Sequence, residues 1–104
     1  MTQIAEKILS REKLTEAIRS LLQKYHAESA ILFGSYARLE ADEASDVDVV
    51  IIGGPGFEPT DVFSLAEDLH RITMKAVDVY EIREIDQKSL FYHEILQEGV
   101  RIAA

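Results

Sequence analysis

Two hydrophobic periods alternate along the chain and predict its helices and strands. Apolar residues three or four positions apart are typical of amphipathic helices, whereas short apolar runs rich in β-branched residues are typical of strands. Helical spacing marks three segments, through Leu14, Ile18, Leu21, Leu22 and Tyr25, through Val62, Leu65, Ala66, Leu69 and Ile72, and through Leu90, Phe91, Ile95 and Leu96. Strands are predicted at 29–33, 46–52 and 76–82, and residues 100–102 are long enough for a short closing strand.

Polar residues mark where the helices begin. Ser10, Thr60 and Asp86 precede the three helical segments and are predicted to be their N-caps. The apolar positions Ile4 and Ile8 either extend the first helix or form a separate short turn. The resulting order is helix, strand, strand, helix, strand and helix. This order and the length of 104 residues predict one α/β domain, 1–104, in which a small sheet packs against a helical layer.

Composition excludes several classes of function. The net charge of −8 leaves no general basic surface, so nucleic acid is not expected as a direct partner. The absence of cysteine excludes disulfides, thiolate zinc sites and a cysteine nucleophile, and it suits a reducing compartment. The first residues are too polar for a signal peptide, and no apolar run reaches the roughly 18 residues of a membrane span. We therefore expect a cytoplasmic protein without a membrane partner.

Two aspartates near the start of the second strand carry the strongest chemical signal. Asp46 and Asp48 are two positions apart, so their side chains project from the same face of the strand. The same alternation puts Asp78 between two valines of the third strand, and we expect this third carboxylate to converge with them. Two like charges about 4 Å apart repel by roughly 4 kcal/mol at an effective dielectric constant near 20. Because hard divalent cations neutralise carboxylates well, we predict one or two Mg²⁺ ions held by all three side chains.

The Gly34-Ser35 pair at the end of the first strand is a candidate phosphate site. A glycine lets a phosphate approach the backbone closely, and free N–H groups after a strand favour an anion. Arg38 follows Ser35 by one helical turn and adds positive charge. Gly-Ser alone is a common turn, and a single aspartate is more often a cap or an exposed polar residue. The combined pattern, Gly-Ser followed after ten residues by Asp-x-Asp, is expected by chance in about one chain per thousand.

The chain resembles the minimal nucleotidyltransferases of the polymerase-β-like superfamily. Two segments carry the resemblance, Gly34-Ser35-Tyr36-Ala37-Arg38 and Ser45-Asp46-Val47-Asp48-Val49-Val50. More narrowly, the chain is similar to the MntA-type antitoxins of the MntA/HepT toxin–antitoxin pair, which have the same spacing of Gly-Ser and Asp-x-Asp. The resemblance implies an α+β fold, with helices packed on one face of a small mixed sheet and the three carboxylates on its open face.

The resemblance also implies an activity and a partner. The activity is the transfer of AMP from ATP to a hydroxyl, with Mg²⁺ bound and pyrophosphate released. The expected acceptor is a tyrosine of a small helical HEPN-domain toxin, with which the chain would form a hetero-oligomer as the antitoxin of a type VII pair. The predicted elements leave no residues for an acceptor-binding domain, so the acceptor is expected to be a separate molecule.

Roles for individual residues follow from the same resemblance. The resemblance implies that Asp46, Asp48 and Asp78 are the catalytic and metal-binding residues. It also implies that Asp78 orients or deprotonates the attacking hydroxyl. Nucleotide binding falls to Gly34 and Ser35, on the β- and γ-phosphates, together with Arg38.

One departure from the family pattern and two other functions stay open. The family usually has glycine after the Ala-Arg pair, whereas this chain has Leu39, which leaves the shape of the 39–45 loop undecided. The chain could instead be a non-catalytic binding antitoxin with a relict nucleotide site. It could also transfer nucleotides to a small molecule such as an aminoglycoside. A structural domain with coincidental acidic residues is the remaining alternative.

Overall fold

The computed structural model describes residues 9–104, so the apolar positions Ile4 and Ile8 lie outside it. The sequence folds into α1 (Arg11–Lys24), β1 (Ser29–Phe33), β2 (Val47–Ile52), α2 (Asp61–Thr73), β3 (Val77–Glu81), a 3₁₀ turn (Ile82–Glu84), α3 (Leu90–Glu98) and β4 (Val100–Ala103). The predicted order of elements is confirmed, including the closing strand. In the described part of the chain, no helix is long and apolar enough to cross a membrane.

The strands form one mixed sheet in the order β3-β2-β1-β4. The central strand β1 is antiparallel to both β2 and β4, whereas β2 and β3 are parallel. A parallel pair needs a crossover, and α2 supplies it between β2 and β3. The small sheet is therefore as the sequence pattern predicted, and the α+β class and mixed strand directions are as the resemblance implied.

Helices α1 and α2 cover one face of this sheet and bury most of the core. Their spacing of three and four residues brings apolar side chains to one side, and strand alternation brings the matching set from the sheet. The buried side chains at this face include Leu14, Ile18 and Leu22 of α1, Leu65 and Leu69 of α2, and Leu32, Val47, Val49 and Ile51 of the sheet.

The third helix lies on the other face, which corrects the expectation that all helices pack on one side. The side chain of Ile95 is the buried residue of α3, and it clusters with Ile31 and Val50. These two residues alternate with the strand residues that face α1 and α2, so their side chains point away from those helices. The helix therefore covers part of the face that was expected to be open.

The predicted N-caps have three different outcomes. The Ser10 hydroxyl accepts a hydrogen bond from the backbone N–H of Lys13 at 3.1 Å, so it caps α1 as predicted. Thr60 occupies the cap position of α2, but its backbone is already helical and its side chain makes no capping hydrogen bond. Helix α3 is capped by Ser89 instead of Asp86. The Asp86 carboxylate accepts a hydrogen bond from the Lys88 N–H and so shapes the turn before the helix.

Candidate active site

Asp48 and Asp78 are neighbours on adjacent strands. The register of the parallel pair places Asp48 of β2 directly beside Asp78 of β3. On the other side of β2, the antiparallel register places Phe33 beside Asp48. Asp48 is partly buried, whereas Asp78 is exposed. The sheet thus brings two of the three predicted carboxylates together, although they are 30 positions apart in the sequence.

The surroundings of Asp48 oppose its negative charge. Its pKa is raised, first by burial and then by the charge of Asp78 and a hydrogen bond with it, with a further contribution from the charge of Asp46. The charge of Arg38 acts in the opposite direction. A bound cation would relieve the repulsion within this group of carboxylates.

The charge of Asp46 contributes less than that of Asp78 to the raised pKa of Asp48. Asp46 lies one residue before β2 and is exposed, and it affects Asp48 through its charge. In the described residues, no three acidic or histidine side chains are arranged closely enough to form a complete metal site. The oxygen-only donor set of the Asp48–Asp78 pair still suits Mg²⁺, which takes one or two carboxylates and completes its shell with water and phosphate oxygens.

Gly34 packs directly against this pair. Its φ of +75° lies in the left-handed region, and a Cβ atom at this position would lie 2.5 Å from Oδ2 of Asp48. Only glycine fits both conditions. After it the chain forms a compact turn, with N–H groups of Arg38 and Glu40 bonded to the carbonyl oxygens of Gly34 (3.2 Å) and Ser35 (2.9 Å). The structure therefore places the Gly34-Ser35 bend beside Asp48.

Arg38 lies close enough to the site to influence Asp48, but it has acidic partners of its own. Its Nε donates to Glu40 at 3.0 Å, and its Nη1 lies 3.9 Å from Glu98 of α3. The hydrogen bond with Glu40 is the main cause of a raised Arg38 pKa. About half of the side chain is exposed. An anion bound at the Gly34 bend would therefore compete with Glu40 and Glu98 for this guanidinium.

The comparison with known families agrees with this arrangement. Residues 16–104 match the family described as "Polymerase beta, Nucleotidyltransferase". The chain belongs to this nucleotidyltransferase family. A relative designated a protein adenylyltransferase, from Methanocaldococcus jannaschii, is 33% identical over 90 residues, which are 86% of this chain and 95% of the relative.

Two solved structures are similar in fold. A toxin–antitoxin crystallised with AMP-PNP has a TM-score of 0.72 at 20% identity, over 85% of this chain and 71% of the other. A complex of a tri-AMPylated HEPN toxin from Shewanella oneidensis with its MNT antitoxin has a TM-score of 0.68 at 18% identity, over 88% and 71%. At these identities the likeness shows a shared fold.

The structure shows how the turn forms with Leu39 at the position where the family usually has glycine. Leu39 has a φ of +61°, so its backbone takes the left-handed conformation that glycine adopts without strain. Its side chain is 74% exposed and meets no steric obstacle in the core. The turn from Gly34 to Leu39 thus closes as it would with glycine, at a cost of about 1–2 kcal/mol in backbone strain.

Sequence reasoning missed Lys75, which holds the loop before Asp46. The Lys75 Nζ donates hydrogen bonds to the carbonyl oxygens of Glu43 (2.9 Å) and Ser45 (3.1 Å). The N–H of Val47 also donates to the carbonyl oxygen of Ala76 at 2.9 Å. No local pattern reveals a lysine that binds carbonyl groups 30 and 32 positions away.

Sequence reasoning also missed an aromatic cluster beside the carboxylates. Phe33, Tyr80 and Phe91 pack with ring centroids 5.4–6.2 Å apart. Phe33 lies beside Asp48 in the register, and Tyr80 follows Asp78 by two residues on β3. The cluster joins α3 to the sheet and supports the carboxylate pair from one side.

Proposed function

We propose that the chain transfers AMP from ATP to a tyrosine hydroxyl of a HEPN-domain partner in the cytoplasm, and that it acts as the antitoxin of a type VII toxin–antitoxin pair. The carboxylate pair of Asp48 and Asp78 beside the Gly34 bend carries this proposal. The name of the archaeal relative supports protein adenylylation. The AMPylated HEPN toxin in the structural relative supports the partner and the modification.

The donor set suggests how the nucleotide and its metal would be held. Mg²⁺ would be bound by Asp48 and Asp78, with Asp46 as the third carboxylate, and would supply charge neutralisation at the triphosphate. Gly34 allows the β- and γ-phosphates to approach the backbone beside these carboxylates. The Ser35 hydroxyl and the Arg38 guanidinium are proposed to bind the same phosphates.

The exposed position of Asp78 suits contact with an acceptor. We assign its carboxylate the task of accepting the proton as the acceptor hydroxyl attacks the α-phosphorus. The new bond joins the acceptor oxygen to the α-phosphorus, while the bond from this phosphorus to the bridging oxygen of pyrophosphate breaks. The products are the AMP-modified tyrosine and pyrophosphate, and the proton passes from Asp78 to solvent. Positioning and charge account for most of the catalysis in such a reaction.

The test uses ATP labelled at the α-phosphate, Mg²⁺ and a HEPN-domain protein as the candidate partner. We expect the label on a tyrosine of the partner, release of pyrophosphate and no transfer from ATP labelled at the γ-phosphate. The matched control is Asp48→Asn, which should bind the partner but transfer no label.

Each alternative function gives a different result in the same test. If the double variant Asp46→Asn, Asp48→Asn still neutralises the partner, the chain acts by binding alone. Label that appears only in a small molecule added as acceptor indicates a small-molecule nucleotidyltransferase. An unlabelled partner that nevertheless binds the wild-type chain refutes protein adenylylation.

A further inference from the structure

A groove of about 640 Å³ lies beside β3, outside the carboxylate site. The first turn of α2 forms one wall, with Val62 and Phe63, and the end of β3 and the 3₁₀ turn form the other, with Val79, Tyr80 and Arg83. Phe63 is a large apolar side chain at the surface and is 76% exposed. The groove therefore offers an apolar surface that the described residues leave uncovered.

The groove follows a strand edge that can form further hydrogen bonds. In the described part of the chain, β3 is the last strand of the sheet. The carbonyl oxygen of Ala76 accepts a hydrogen bond from Val47 of β2. Because backbone groups alternate in a parallel ladder, those of Ala76, Asp78 and Tyr80 face β2, and those of Val77 and Val79 face outwards.

Glu81 agrees with this alternation and marks the end of the free edge. It is the next residue whose backbone faces outwards, and its N–H donates to the Glu84 side chain at 2.7 Å. The backbone N–H and carbonyl groups of Val77 and Val79, which face away from β2, are therefore the part of the edge that can pair with another strand.

This edge is continuous with the proposed catalytic site. Neighbouring strands lie about 4.8 Å apart, so a peptide added to β3 would place one residue directly beside Asp78. That residue would lie on the same face as Asp78 and Asp48, since paired residues project from the same side. The next residue of the peptide would lie beside Val79 and project to the opposite face, where α2 and Phe63 form the groove wall.

The charges around the groove select a type of peptide. Arg83 donates to the buried carboxylate of Glu81 at 3.0 Å, so most of its charge is compensated. The carboxylate of Glu84 in the groove wall and that of Asp78, farther along β3, remain, and the whole chain has a net charge of −8. An apolar side chain suits the groove, and basic side chains suit positions near Glu84 and Asp78.

We infer that the free edge of β3 and this groove bind an extended segment of the acceptor protein, with the modified tyrosine beside Asp78, an adjacent apolar residue in the groove and basic residues nearby. The inference rests on the proposed function and specifies how the acceptor is recognised. Backbone pairing with Val77 and Val79 supplies affinity, and the groove supplies specificity, as in other cases of strand addition.

Two substitutions test the inference, with a matched control. Phe63→Ser removes the exposed wall of the groove, and Val79→Pro removes an outward N–H without removing a hydrogen bond to β2. The control is Ile72→Ser, on the same helix and 55% exposed but outside the groove. For each variant we would measure the Kd of the same candidate HEPN-domain partner by calorimetry without ATP, the KM for acceptor and for ATP, and the melting temperature.

The expected result separates acceptor binding from nucleotide binding. Phe63→Ser and Val79→Pro should each raise the Kd and the KM of the acceptor at least tenfold and leave the KM of ATP unchanged. Phe63→Ser should also leave the melting temperature unchanged, whereas Val79→Pro should lower it, because Val79 packs against the core. Ile72→Ser should leave all of these quantities unchanged. An unchanged acceptor Kd in both groove variants overturns the inference. An equal rise of the acceptor Kd in the control variant Ile72→Ser also overturns it.

The outcomes also distinguish this inference from the proposed function. If the wild-type chain binds the acceptor without transferring label, the proposed activity fails, while the Kd values still decide the binding surface. If the acceptor does not bind the wild-type chain, both the proposed function and this inference are wrong. If Phe63→Ser converts a dimer of this chain to a monomer in size-exclusion chromatography, the groove is an interface between two copies and the inference is wrong.

Discussion

Replacing Asp48 by asparagine should stabilise the protein in the absence of metal. The register places the Asp48 carboxylate beside that of Asp78, and burial further disfavours its charge. Two charges about 4 Å apart repel by about 1 kcal/mol in water and about 4 kcal/mol at an effective dielectric constant of 20. Because Asp78 is exposed and Asp48 only partly buried, the lower part of this range applies. We expect a gain of about 1–2 kcal/mol, or roughly 5–10 °C in melting temperature.

The assay is thermal unfolding at pH 7 and low ionic strength, without divalent ions. Asp48→Asn and Asp78→Asn should each raise the melting temperature, and the double variant should gain less than the sum, because either substitution removes the same repulsion. Asp46→Asn is the matched comparison and should raise the melting temperature less, since the charge of Asp46 contributes less than that of Asp78 to the raised pKa of Asp48. Added Mg²⁺ should stabilise the wild type more than Asp48→Asn.

Salt provides a second check on the electrostatic origin of this effect. At about 1 M salt the screening length falls to about 3 Å, so the gain of Asp48→Asn should shrink. The reasoning is refuted if Asp48→Asn lowers the melting temperature or leaves it unchanged at low salt. It is also refuted if the effects of Asp48→Asn and Asp78→Asn add in full.

Three further predictions concern other parts of the structure. Leu39→Gly should raise the free energy of unfolding in urea by about 0.5–1 kcal/mol, whereas Leu39→Ala should not, because alanine keeps the left-handed strain. Gly34→Ala should lower the melting temperature and abolish transfer, because its Cβ meets a carboxylate oxygen at a positive φ. Lys24 and Tyr25 donate hydrogen bonds to Asp68 and lower its pKa, so Asp68 stabilises the fold above an unfolded pKa of about 3.9 and less as the pH falls through its lower folded pKa. Asp68→Asn should therefore reduce the loss of melting temperature on acidification below about pH 4.

Local sequence patterns predicted the elements better than their mutual placement. The bounds of β1, Ser29–Phe33, match the prediction, since a short apolar run ended by glycine specifies both ends. Alternation also predicted that Asp46 and Asp48 share a face and that Asp78 converges with them. It could not predict the exact register, in which Asp48 lies directly beside Asp78, because that register depends on how the α2 crossover packs between β2 and β3.

The face that α3 covers was also beyond the sequence pattern. Its apolar residues include Leu90, which is 73% exposed, and Leu96, which is 54% exposed, whereas Ile95 is buried. The sequence does not show which of these residues meets the sheet. The groove beside β3 could not be predicted from the sequence either. Its walls come from α2, β3 and the 3₁₀ turn, and only the tertiary fold brings these elements together.

The two left-handed positions around the Gly-Ser turn differ in how strictly the structure requires glycine. At Gly34 a side chain would meet Oδ2 of Asp48, so both the backbone conformation and the nearby carboxylate exclude any other residue. At Leu39 the side chain points into solvent, so only the backbone strain of about 1–2 kcal/mol opposes a substitution. A folded domain tolerates a loss of that size. This difference explains why the site requires glycine at position 34. At position 39, leucine in place of the usual family glycine leaves the turn intact.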